Sequence, residues 1–271
     1  MLFRSPTFKA VEHAGWNKRA GVYDEITAII TNYGIEPLLD AAGIAARQSV
    51  LDVCCGTGLV AKAAAVRGAS VIAIDIAEDM IAAARAKGLA CDFRVGDAEE
   101  LSFPDATFDR VISNFGHYHL PDPDKAIVEA SRVLRRGGRY AFTTWYGPEV
   151  SPVYRAVPEA VKAHGKLDVG LPPSPPPFRL ADRGESERAM RAAGFTDIVF
   201  ANFTAVLEWP LATVADFIER GTVRASMLLL AQTPEARERV RAAIVRDLAP
   251  FAIGDTVRVP MPAIVVAGTK V

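Results

Sequence analysis

The segment from residue 49 to residue 145 alternates between strand-like and helix-like patterns, and this alternation constrains the fold most. Short apolar runs predict strands at 49–54, 70–75, 91–97, 108–114 and 139–145. The stretches between them predict helices at 59–68, 78–88 and 123–138. Strands that are apolar on both faces and separated by helices predict a mostly parallel sheet covered on both sides. Because such crossovers are right-handed, the expected fold class is α/β and doubly wound.

Helical patterns precede this core, and two further strand patterns follow it. Residues 10–46 predict two helices ahead of the first strand. Strand patterns at 197–209 and 263–270 bring the expected sheet to seven strands, and residues 211–251 between them are mostly helical. We interpret this helical insertion either as a cap over a binding site or as a contact between copies of the chain, which leaves a homo-oligomer open.

Composition narrows the class of protein and its partners. The chain has 271 residues, a net charge of −1 and three cysteines. It therefore has no basic field that would attract nucleic acid or anionic lipid, and too few cysteines for a disulfide framework. No apolar run approaches the roughly 18 residues that span a bilayer. The first residues, MLFRSPTFKAVEH, lack the apolar centre of a signal peptide. We expect a cytoplasmic protein without a membrane span or a nucleic-acid partner.

The stretch VLDVCCGTG, residues 50–58, joins the first predicted strand to the first core helix through a glycine turn. Backbone N–H groups point outward from such a turn, and Gly56 and Gly58 would let a ligand approach the backbone. The adjacent Cys54 and Cys55 are not a C-x-x-C pair, and no second pair accompanies them, so we expect small turn residues and no metal site. The turn alone does not decide between nucleotide cofactors, since GTGLVA also fits a loose dinucleotide pattern.

Three carboxylates near the predicted strand ends narrow the choice. Asp52 would repel a pyrophosphate but would attract a cationic ligand. Asp75 ends the second strand, where a carboxylate accepts hydrogen bonds from ribose hydroxyls. Asp97 and the N–H of Ala98 suit an adenine edge. Together they indicate a pocket for a nucleoside without a phosphate tail.

Five stretches between about residue 20 and residue 145 carry a family resemblance. They are VLDVCCGTG, AIDIAEDMIAAAR, GDAEELSFPDATFD, VISNF and ASRVLRRGGR. In this order they resemble the motifs of class I S-adenosylmethionine-dependent methyltransferases, especially the small-molecule branch that includes the ubiquinone and menaquinone C-methyltransferases. The resemblance implies a Rossmann-like methyltransferase fold, S-adenosylmethionine as cofactor and S-adenosylhomocysteine as product. That family usually has glycine where Cys54 stands, so we expect a slightly different turn with binding retained.

The resemblance also implies which positions surround the cofactor. These are Tyr23, Asp52, Val53, Cys54, Gly56, Asp75, Ile76, Met80, Asp97, Ala98, Ser113 and Asn114. The Tyr23 hydroxyl would meet the methionine carboxylate, while Ile76 and Met80 would pack on the adenine. Ser113 and Asn114 would offer backbone or side-chain acceptors to the cofactor's amino group.

The loop NFGHYHLPDP, residues 114–123, contains two of the four histidines. His119 and His117 are candidate general bases for an acceptor that must lose a proton, although each would also serve as a packing residue of the loop. The expected acceptor pocket combines aromatic residues and histidines with the inserted helices. These residues are Trp16, Tyr23, His117, Tyr118, Trp145 and Phe178. This lining predicts a small hydrophobic or aromatic metabolite as the methyl acceptor.

The chain is accordingly divided into an N-terminal helical cap, a cofactor-binding core, an acceptor-pocket excursion that contains LPPSPPPF, and the end of the sheet with its helical lid at 211–251. The boundaries are 1–46, 47–146, 147–184 and 185–271. Two alternatives to a methyltransferase remain at this point. They are a nicotinamide-dependent oxidoreductase that uses the turn at Gly56 and Gly58, and a methyltransferase-like protein that only binds.

Overall fold

A computed structural model describes residues 7–271, so the first six residues of the predicted 1–46 cap lie outside the described residues. The helices are α1 (Phe8–Arg19), α2 (Ala28–Thr31), α3 (Ile35–Ala42), α4 (Leu59–Val66), α5 (Glu78–Ala86), α6 (Pro123–Val133), α7 (Pro152–His164), α8 (Arg183–Ala192), α9 (Val214–Gly221), α10 (Arg224–Leu230) and α11 (Pro234–Leu248). The strands are β1 (Ser49–Val53), β2 (Ser70–Asp75), β3 (Asp92–Val95), β4 (Phe108–Asn114), β5 (Leu134–Trp145), β6 (Phe195–Pro210), β7 (Ala252–Ile253) and β8 (Thr256–Lys270).

The strands form one sheet in the order β3-β2-β1-β4-β5-β8-β6, and the two-residue β7 pairs with β8 outside this path. Strands β1 to β5 pair in parallel, whereas β8 runs antiparallel to both β5 and β6. The expected α/β, mostly parallel sheet is confirmed. The strand order reverses between β1 and β4, and in open sheets of this kind ligands bind in the crevice beyond the carboxyl ends of those strands.

The helix predicted at 123–138 ends earlier, at Val133, and the RRGG sequence opens β5 instead. Pairing between β4 and β5 shifts register there, so that the segment bulges out of the sheet. Gly137 has φ +74°, and a Cβ on Gly138 would lie 2.7 Å from the carbonyl oxygen of Arg135. The two glycines therefore form a tight bulge that a helix could not contain.

The last two long strands extend well beyond the patterns that predicted them. β6 and β8 pair from Phe195–Lys270 to Pro210–Thr256, while β5 covers β8 only from Ala263 onward. Pro260 and Pro262 interrupt the strand pattern of β8, but they lie where β5 no longer pairs with it. A proline is tolerated there because its missing N–H faces no neighbouring strand.

Two apolar layers cover the two faces of the parallel sheet, and a third is built on the extension of β6 and β8. In the third layer α7 packs against α11, and α9 and α10 lie beside them. The same layer includes Ile26 and Ile30 from the N-terminal segment, together with Phe115 and Trp145 from the ends of β4 and β5. The N-terminal segment and the helical insertion thus meet beside the crevice at the β1–β4 reversal.

A membrane-spanning helix is not found within residues 7–271, because none of the helices there is sufficiently long and apolar.

Candidate active site

The turn after β1 holds three residues in the left-handed backbone region. Cys54 has φ +59°, Gly56 φ +53° and Gly58 φ +84°. Glycine adopts this conformation freely, whereas a side chain disfavours it by about 1–2 kcal/mol. Cys54 thus adopts a conformation that glycine would accept more easily, and its side chain must find space in the neighbouring loop.

Gly116, in the loop after β4, provides that space. A Cβ on Gly116 would lie 2.6 Å from the Cβ of Cys54 and 2.7 Å from the Oγ of Ser113. These separations are shorter than van der Waals contact allows, so a side chain at 116 would displace its neighbours. Gly116, from a different part of the chain, therefore leaves the space that the Cys54 side chain occupies.

We expect Gly116→Ala to destabilise the protein by about 1–3 kcal/mol, because its methyl group overlaps the Cys54 side chain. The double variant Cys54→Gly/Gly116→Ala should recover much of that loss, since the overlap with residue 54 disappears. Urea unfolding of the four proteins of the cycle measures the coupling. An equal loss from Gly116→Ala in both backgrounds would disprove the pairing of these two positions.

The two glycines of the turn differ in what surrounds them. A Cβ on Gly56 would lie 3.6 Å from the Cζ of Tyr23, an ordinary contact distance. A Cβ on Gly58 would lie 2.6 Å from the Phe93 ring of β3. The missing side chain of Gly58 therefore makes room for Phe93, and the expectation that both glycines open the backbone to a ligand stays a prediction.

Asp75 at the end of β2 organises the turn. Its Oδ2 accepts a hydrogen bond from the Gly56 N–H at 2.9 Å, and its Oδ1 accepts one from the Ala77 N–H at 2.9 Å. Burial raises the pKa of Asp75, and the two backbone donors oppose that effect. Each carboxylate oxygen keeps capacity for another hydrogen bond, so Asp75 can still accept from two ribose hydroxyls.

Asp52 is a buried carboxylate that has no partner. It is 0 % exposed, and neither oxygen is hydrogen-bonded within residues 7–271. Burial, followed by the negative charge of Asp75, raises the pKa of Asp52 well above the ordinary carboxyl value, and the backbone N–H of Ala61, which lies beyond normal hydrogen-bond geometry, opposes this rise only in part. An unpaired buried carboxylate is unfavourable unless a cationic group accompanies it. This site therefore suits S-adenosylmethionine, which carries a sulfonium and an ammonium group.

Asp97 and Ala98, which the sequence predicts to bind adenine, follow the end of β3 as expected. The Asp97 carboxylate, however, already has hydrogen-bond partners within the protein. The Asp97 carboxylate receives a hydrogen bond from Lys9 of α1 at 2.6 Å and another from the Glu99 N–H at 2.9 Å. Lys9 also pairs with Glu99, and Ala98 is buried. Asp97 thus anchors the N-terminal helix as well, a role that no local pattern indicated.

The hydrophobic residues expected around the cofactor are largely covered by the protein itself. Val53 and Met80 are buried, whereas Ile76 is half-buried. Met80 packs with Ala20 and Ala77, and the rings of Trp16 and Tyr23 lie against them.

At the end of β4, the Ser113 side chain has no hydrogen-bond partner within residues 7–271, whereas the Asn114 side chain has two. The Ser113 Oγ is buried and has no hydrogen-bond partner within residues 7–271. The Asn114 Oδ1 accepts a hydrogen bond from the Thr143 hydroxyl at 2.6 Å, and its Nδ2 donates to the Thr31 carbonyl at 3.0 Å. The side chain of Asn114 therefore connects α2 to the sheet. Only the backbone carbonyl of Asn114 remains to accept a hydrogen bond from the cofactor's amino group, as the sequence predicts.

Aromatic side chains pack against one another beside the turn, where the Tyr23 ring lies next to Gly56. Trp16 lies edge-on to Tyr23, with ring centroids 6.0 Å apart, and edge-on to His119 at 4.8 Å. Phe178 meets Tyr154 edge-on at 4.9 Å, and burial raises the pKa of Tyr118. We call this set, which also includes Phe115, the aromatic chamber.

Phe115 was missed by the sequence analysis, and it changes the role of a predicted residue. Its ring stacks on Trp145 with centroids 3.8 Å apart, and Trp145 is 1 % exposed. Phe115 has φ +55° and its N–H donates to the Thr143 hydroxyl oxygen, which turns the ring over Trp145. Trp145 was expected to line the acceptor pocket directly, but it lies beneath Phe115. The stacking of Phe115 on Trp145 joins the ends of β4 and β5. The sequence around either residue gives no sign of it.

The two candidate bases lie in different environments. His117 is 3 % exposed, its Nε2 lies 2.5 Å from the Tyr140 hydroxyl, and its ring packs at 4.5 Å on Phe142. Burial lowers the pKa of His117 to about 3, so it is a weak proton acceptor at neutral pH. Tyr140 and Phe142 alternate with Trp145 along β5 and face the opposite side of the sheet. The structure thus argues against His117 as the base, whereas its role as a lining residue stays a prediction, since it borders a small cavity together with Tyr118.

His119 lies in the aromatic chamber and has a partner that sequence reasoning missed. Its Nδ1 is 2.7 Å from the Oε2 of Glu12 in α1, and Trp16 packs edge-on against its ring. Glu12 is 3 % exposed. A glutamate inside a helix gives no local sign of such a contact, since only the packing of α1 onto the loop after β4 creates it.

Within residues 7–271, no group of three or more His, Cys, Asp or Glu side chains could hold a metal ion. Cys54, Cys55 and Cys91 are free thiols, and burial raises the pKa of all three. These thiols are therefore protonated and poorly nucleophilic at neutral pH.

Comparison with known proteins agrees with this geometry. A family model described as a methyltransferase domain matches residues 51–142. Nocamycin O-methyltransferase of Saccharothrix syringae is 31 % identical over 93 % of this chain and 96 % of its own length. Demethylmenaquinone methyltransferase of Clavibacter sepedonicus is 31 % identical over 67 % of this chain and 76 % of its own.

Solved structures share the fold. A putative methyltransferase of Bacillus halodurans superposes with a TM-score of 0.58 at 21 % identity, covering 87 % of this chain and 98 % of that one. Phosphoethanolamine N-methyltransferase 2 of Haemonchus contortus, solved in complex with S-adenosylmethionine, gives 0.53 at 20 % identity and covers 88 % of this chain and 52 % of that one. With the whole-length relative and the matched domain, these findings show that the chain belongs to the S-adenosylmethionine-dependent methyltransferases.

Proposed function

We propose that this methyltransferase transfers the methyl group to an oxygen atom of a small hydrophobic or aromatic metabolite. The aromatic chamber beside the glycine turn carries the proposal, because its rings offer flat apolar surfaces, with the hydroxyls of Tyr23 and Tyr154 and the His119 imidazole among them. The relative that matches along nearly the whole chain is named an O-methyltransferase, which supports oxygen as the atom methylated. A carbon or nitrogen acceptor is the competing outcome.

The cofactor would lie along the ends of β1, β2 and β4. When bound, S-adenosylmethionine supplies a methyl group attached to a positively charged sulfur, which is a good leaving group. Asp75 would hold the ribose through the lone pairs that Gly56 and Ala77 leave free. Asp52 and the Ser113 hydroxyl, both buried and unpaired, would face the cationic methionine part. Tyr23 would cover it from the side of the N-terminal helices.

The chain's own contribution would be alignment and exclusion of water. The N-terminal segment is held over the site by Lys9 on Asp97 and Glu99, and by Asp24, which pairs with Lys87 at 2.6 Å. The helices α7 and α9–α11 close the other side through the third apolar layer. When the leaving group is already good, alignment in a dry, shaped pocket supplies much of the rate, and a base is needed where the acceptor must lose a proton. His119 would accept the proton of the acceptor hydroxyl.

The direct test is an acceptor screen with purified enzyme and S-adenosylmethionine. A panel of phenols, hydroxyquinones, aromatic amines and polar amino acids is analysed by mass spectrometry for a gain of one methylene mass. Tandem fragmentation then identifies the atom that is methylated. We expect turnover on hydroxyl groups of aromatic compounds. Turnover only on amines or on polar amino acids would contradict the proposal.

Asp52→Asn is expected to weaken binding of S-adenosylmethionine by about tenfold while stabilising the ligand-free protein. Burial raises the pKa of Asp52, so the folded state holds its proton more tightly than the unfolded chain does. Folding stability therefore falls as the pH rises above the ordinary carboxyl pKa, and asparagine removes that loss. The gain at neutral pH should be at least about 1 kcal/mol, because a buried ion costs several.

Urea unfolding at about pH 4 and about pH 8, with calorimetric titration of S-adenosylmethionine, measures both effects of Asp52→Asn. The stability difference between variant and wild type should grow toward the higher pH. A variant that is less stable than wild type at both pH values would contradict the assignment of Asp52 as an unpaired buried carboxylate.

The nicotinamide-dependent alternative has no specific observation in its favour. Its pyrophosphate would have to lie beside the unpaired carboxylate of Asp52, where like charges repel. Family membership likewise supports an enzyme over a protein that only binds.

A further inference from the structure

His119, which is partly buried, pairs with the buried Glu12, and the proposed methyl transfer alone does not require this pair. We propose that Glu12 is a positioning residue, which holds His119 in the tautomer with its hydrogen on Nδ1 and thereby leaves Nε2 free to take the proton of the acceptor hydroxyl. This inference rests on the proposed function for its chemical purpose. Its structural content, the tautomer of His119, is independent of that function.

In the arrangement that we propose, Glu12 is a carboxylate, which only accepts hydrogen bonds. The Nδ1 of His119, 2.7 Å from the Glu12 Oε2, would then carry the hydrogen. A neutral imidazole in this tautomer has no hydrogen on Nε2, and no hydrogen bond to Nε2 is found within residues 7–271. A free Nε2 is the atom that a general base requires.

Because Glu12 is buried, a change of the His119 tautomer would be strongly unfavourable. Glu12 is 3 % exposed, and its other oxygen, Oε1, has no hydrogen-bond partner within residues 7–271. The nearby charged group on α1 is Arg19, which is also buried and whose guanidinium bonds to the Gly15 carbonyl. With Oε1 unpaired, the Nδ1–H of His119 is the donor that Glu12 would lose if the imidazole turned or changed tautomer. An unsatisfied buried carboxylate is costly, so that change is opposed.

A second histidine–carboxylate pair on the same helix provides a contrast. His13 Nε2 lies 2.6 Å from the Oε2 of Glu78, but the Glu78 side chain is 58 % exposed and also receives a hydrogen bond from Asn17. Water can replace His13 as a partner of Glu78, so that pair constrains its imidazole only weakly. It anchors α1 to α5 at the surface, and it is a matched control for the buried pair.

One proton and one methyl group move in the proposed step. The acceptor O–H bond breaks, its proton moves to Nε2 of His119, and an oxygen lone pair forms the new bond to the methyl carbon. The electrons of the broken carbon–sulfur bond stay on sulfur. His119 is left as an imidazolium whose Nδ1–H faces the Glu12 carboxylate, which stabilises the positive charge. The proton then passes to solvent.

Nitrogen NMR of histidine-labelled protein, without cofactor or acceptor, tests the tautomer directly. We compare wild type, Glu12→Met and the matched control Glu78→Met, and we identify the His119 signals by their loss in His119→Gln. Methionine is about as long as glutamate but has no oxygen that could accept a hydrogen bond from Nδ1–H. The expected result is an Nδ1–H tautomer for His119 in wild type and in Glu78→Met, with a shift toward the Nε2–H tautomer in Glu12→Met. An Nε2–H tautomer or a doubly protonated ring in wild type, or an Nδ1–H tautomer that persists in Glu12→Met, would overturn the proposal.

Kinetics on the same variants show whether the tautomer matters for turnover. Glu12→Met keeps roughly the size of the side chain and removes the acceptor, so we expect kcat to fall about tenfold while the Kd of S-adenosylhomocysteine and the Tm stay close to wild type. Glu12→Asp keeps a carboxylate and should recover part of the rate, which covers the case in which Glu12→Met folds poorly. Unchanged kcat in Glu12→Met would overturn the positioning role. Failure of the acceptor screen would instead count against the proposed function, because the NMR result does not depend on any acceptor.

Discussion

The His119→Ala variant is expected to lose about 10²–10⁴-fold in kcat, the usual contribution of a positioned general base. The alanine leaves the acceptor proton without a nearby recipient inside the aromatic chamber. The Glu12 carboxylate, which bonds to His119 at 2.7 Å, is also left without its partner. The proposed cofactor site at Asp75 and Gly56 is not part of this contact, so binding of S-adenosylhomocysteine should remain within about twofold.

Steady-state rates at saturating acceptor, together with calorimetric titration of S-adenosylhomocysteine, measure the two quantities separately. Because removal of one member of a buried pair also destabilises the fold, His119→Gln is the companion variant that keeps a hydrogen-bonding group toward Glu12. A His117→Gln variant should retain far more activity, since His117 bonds to Tyr140 and faces the other side of the sheet. A normal rate for His119→Ala would remove His119 from the mechanism.

Asp75→Ala is expected to weaken cofactor binding by about 10- to 100-fold, which corresponds to roughly 1.5–3 kcal/mol for hydrogen bonds to a charged group. Two losses contribute to this effect. The ribose hydroxyls lose their acceptor, and the N–H groups of Gly56 and Ala77 lose the carboxylate that shapes the turn. Asp75→Asn should be intermediate, because its amide oxygen can still accept from one of the two N–H groups.

Calorimetry with S-adenosylhomocysteine measures the Asp75 effect without any acceptor. Asp79→Ala is a suitable control, because Asp79 is exposed and lies at the start of the helix that follows Asp75. Its affinity should equal that of wild type. Affinity that is unchanged in Asp75→Ala would refute the ribose assignment, and equal losses in both variants would point to a general effect of charge.

Much of the parallel core was predictable because its information is local. β1, β2 and β4 coincide with the predicted strands to within about two residues, the usual uncertainty of element ends. Apolar runs bounded by turns specify such strands, and glycines at positive φ mark the turns between them. The family was predictable for the same reason, since its motifs are short stretches at strand ends and were matched over residues 51–142.

The candidate site was only partly predictable. Asp52, Asp75 and Cys54 lie at the turn, where their positions in the motif indicated them. Asn114 is taken up by Thr143 and Thr31, and Trp145 is covered by Phe115. The sequence shows that Asn114 is polar and Trp145 aromatic, but it does not show their partners, which belong to other elements of the fold.

The sequence by itself determined the order of strands and helices, the left-handed turn after β1 and the carboxylates at the strand ends. These features depend on residues close together in the chain, where backbone sterics and apolar periodicity act. The tertiary structure alone decided which side chains share a space. It placed Gly116 against Cys54, Lys9 against Asp97 and Glu12 against His119. Those contacts join residues far apart in the chain, and they exist only because packing the apolar layers brings α1 and the loop after β4 over the same crevice.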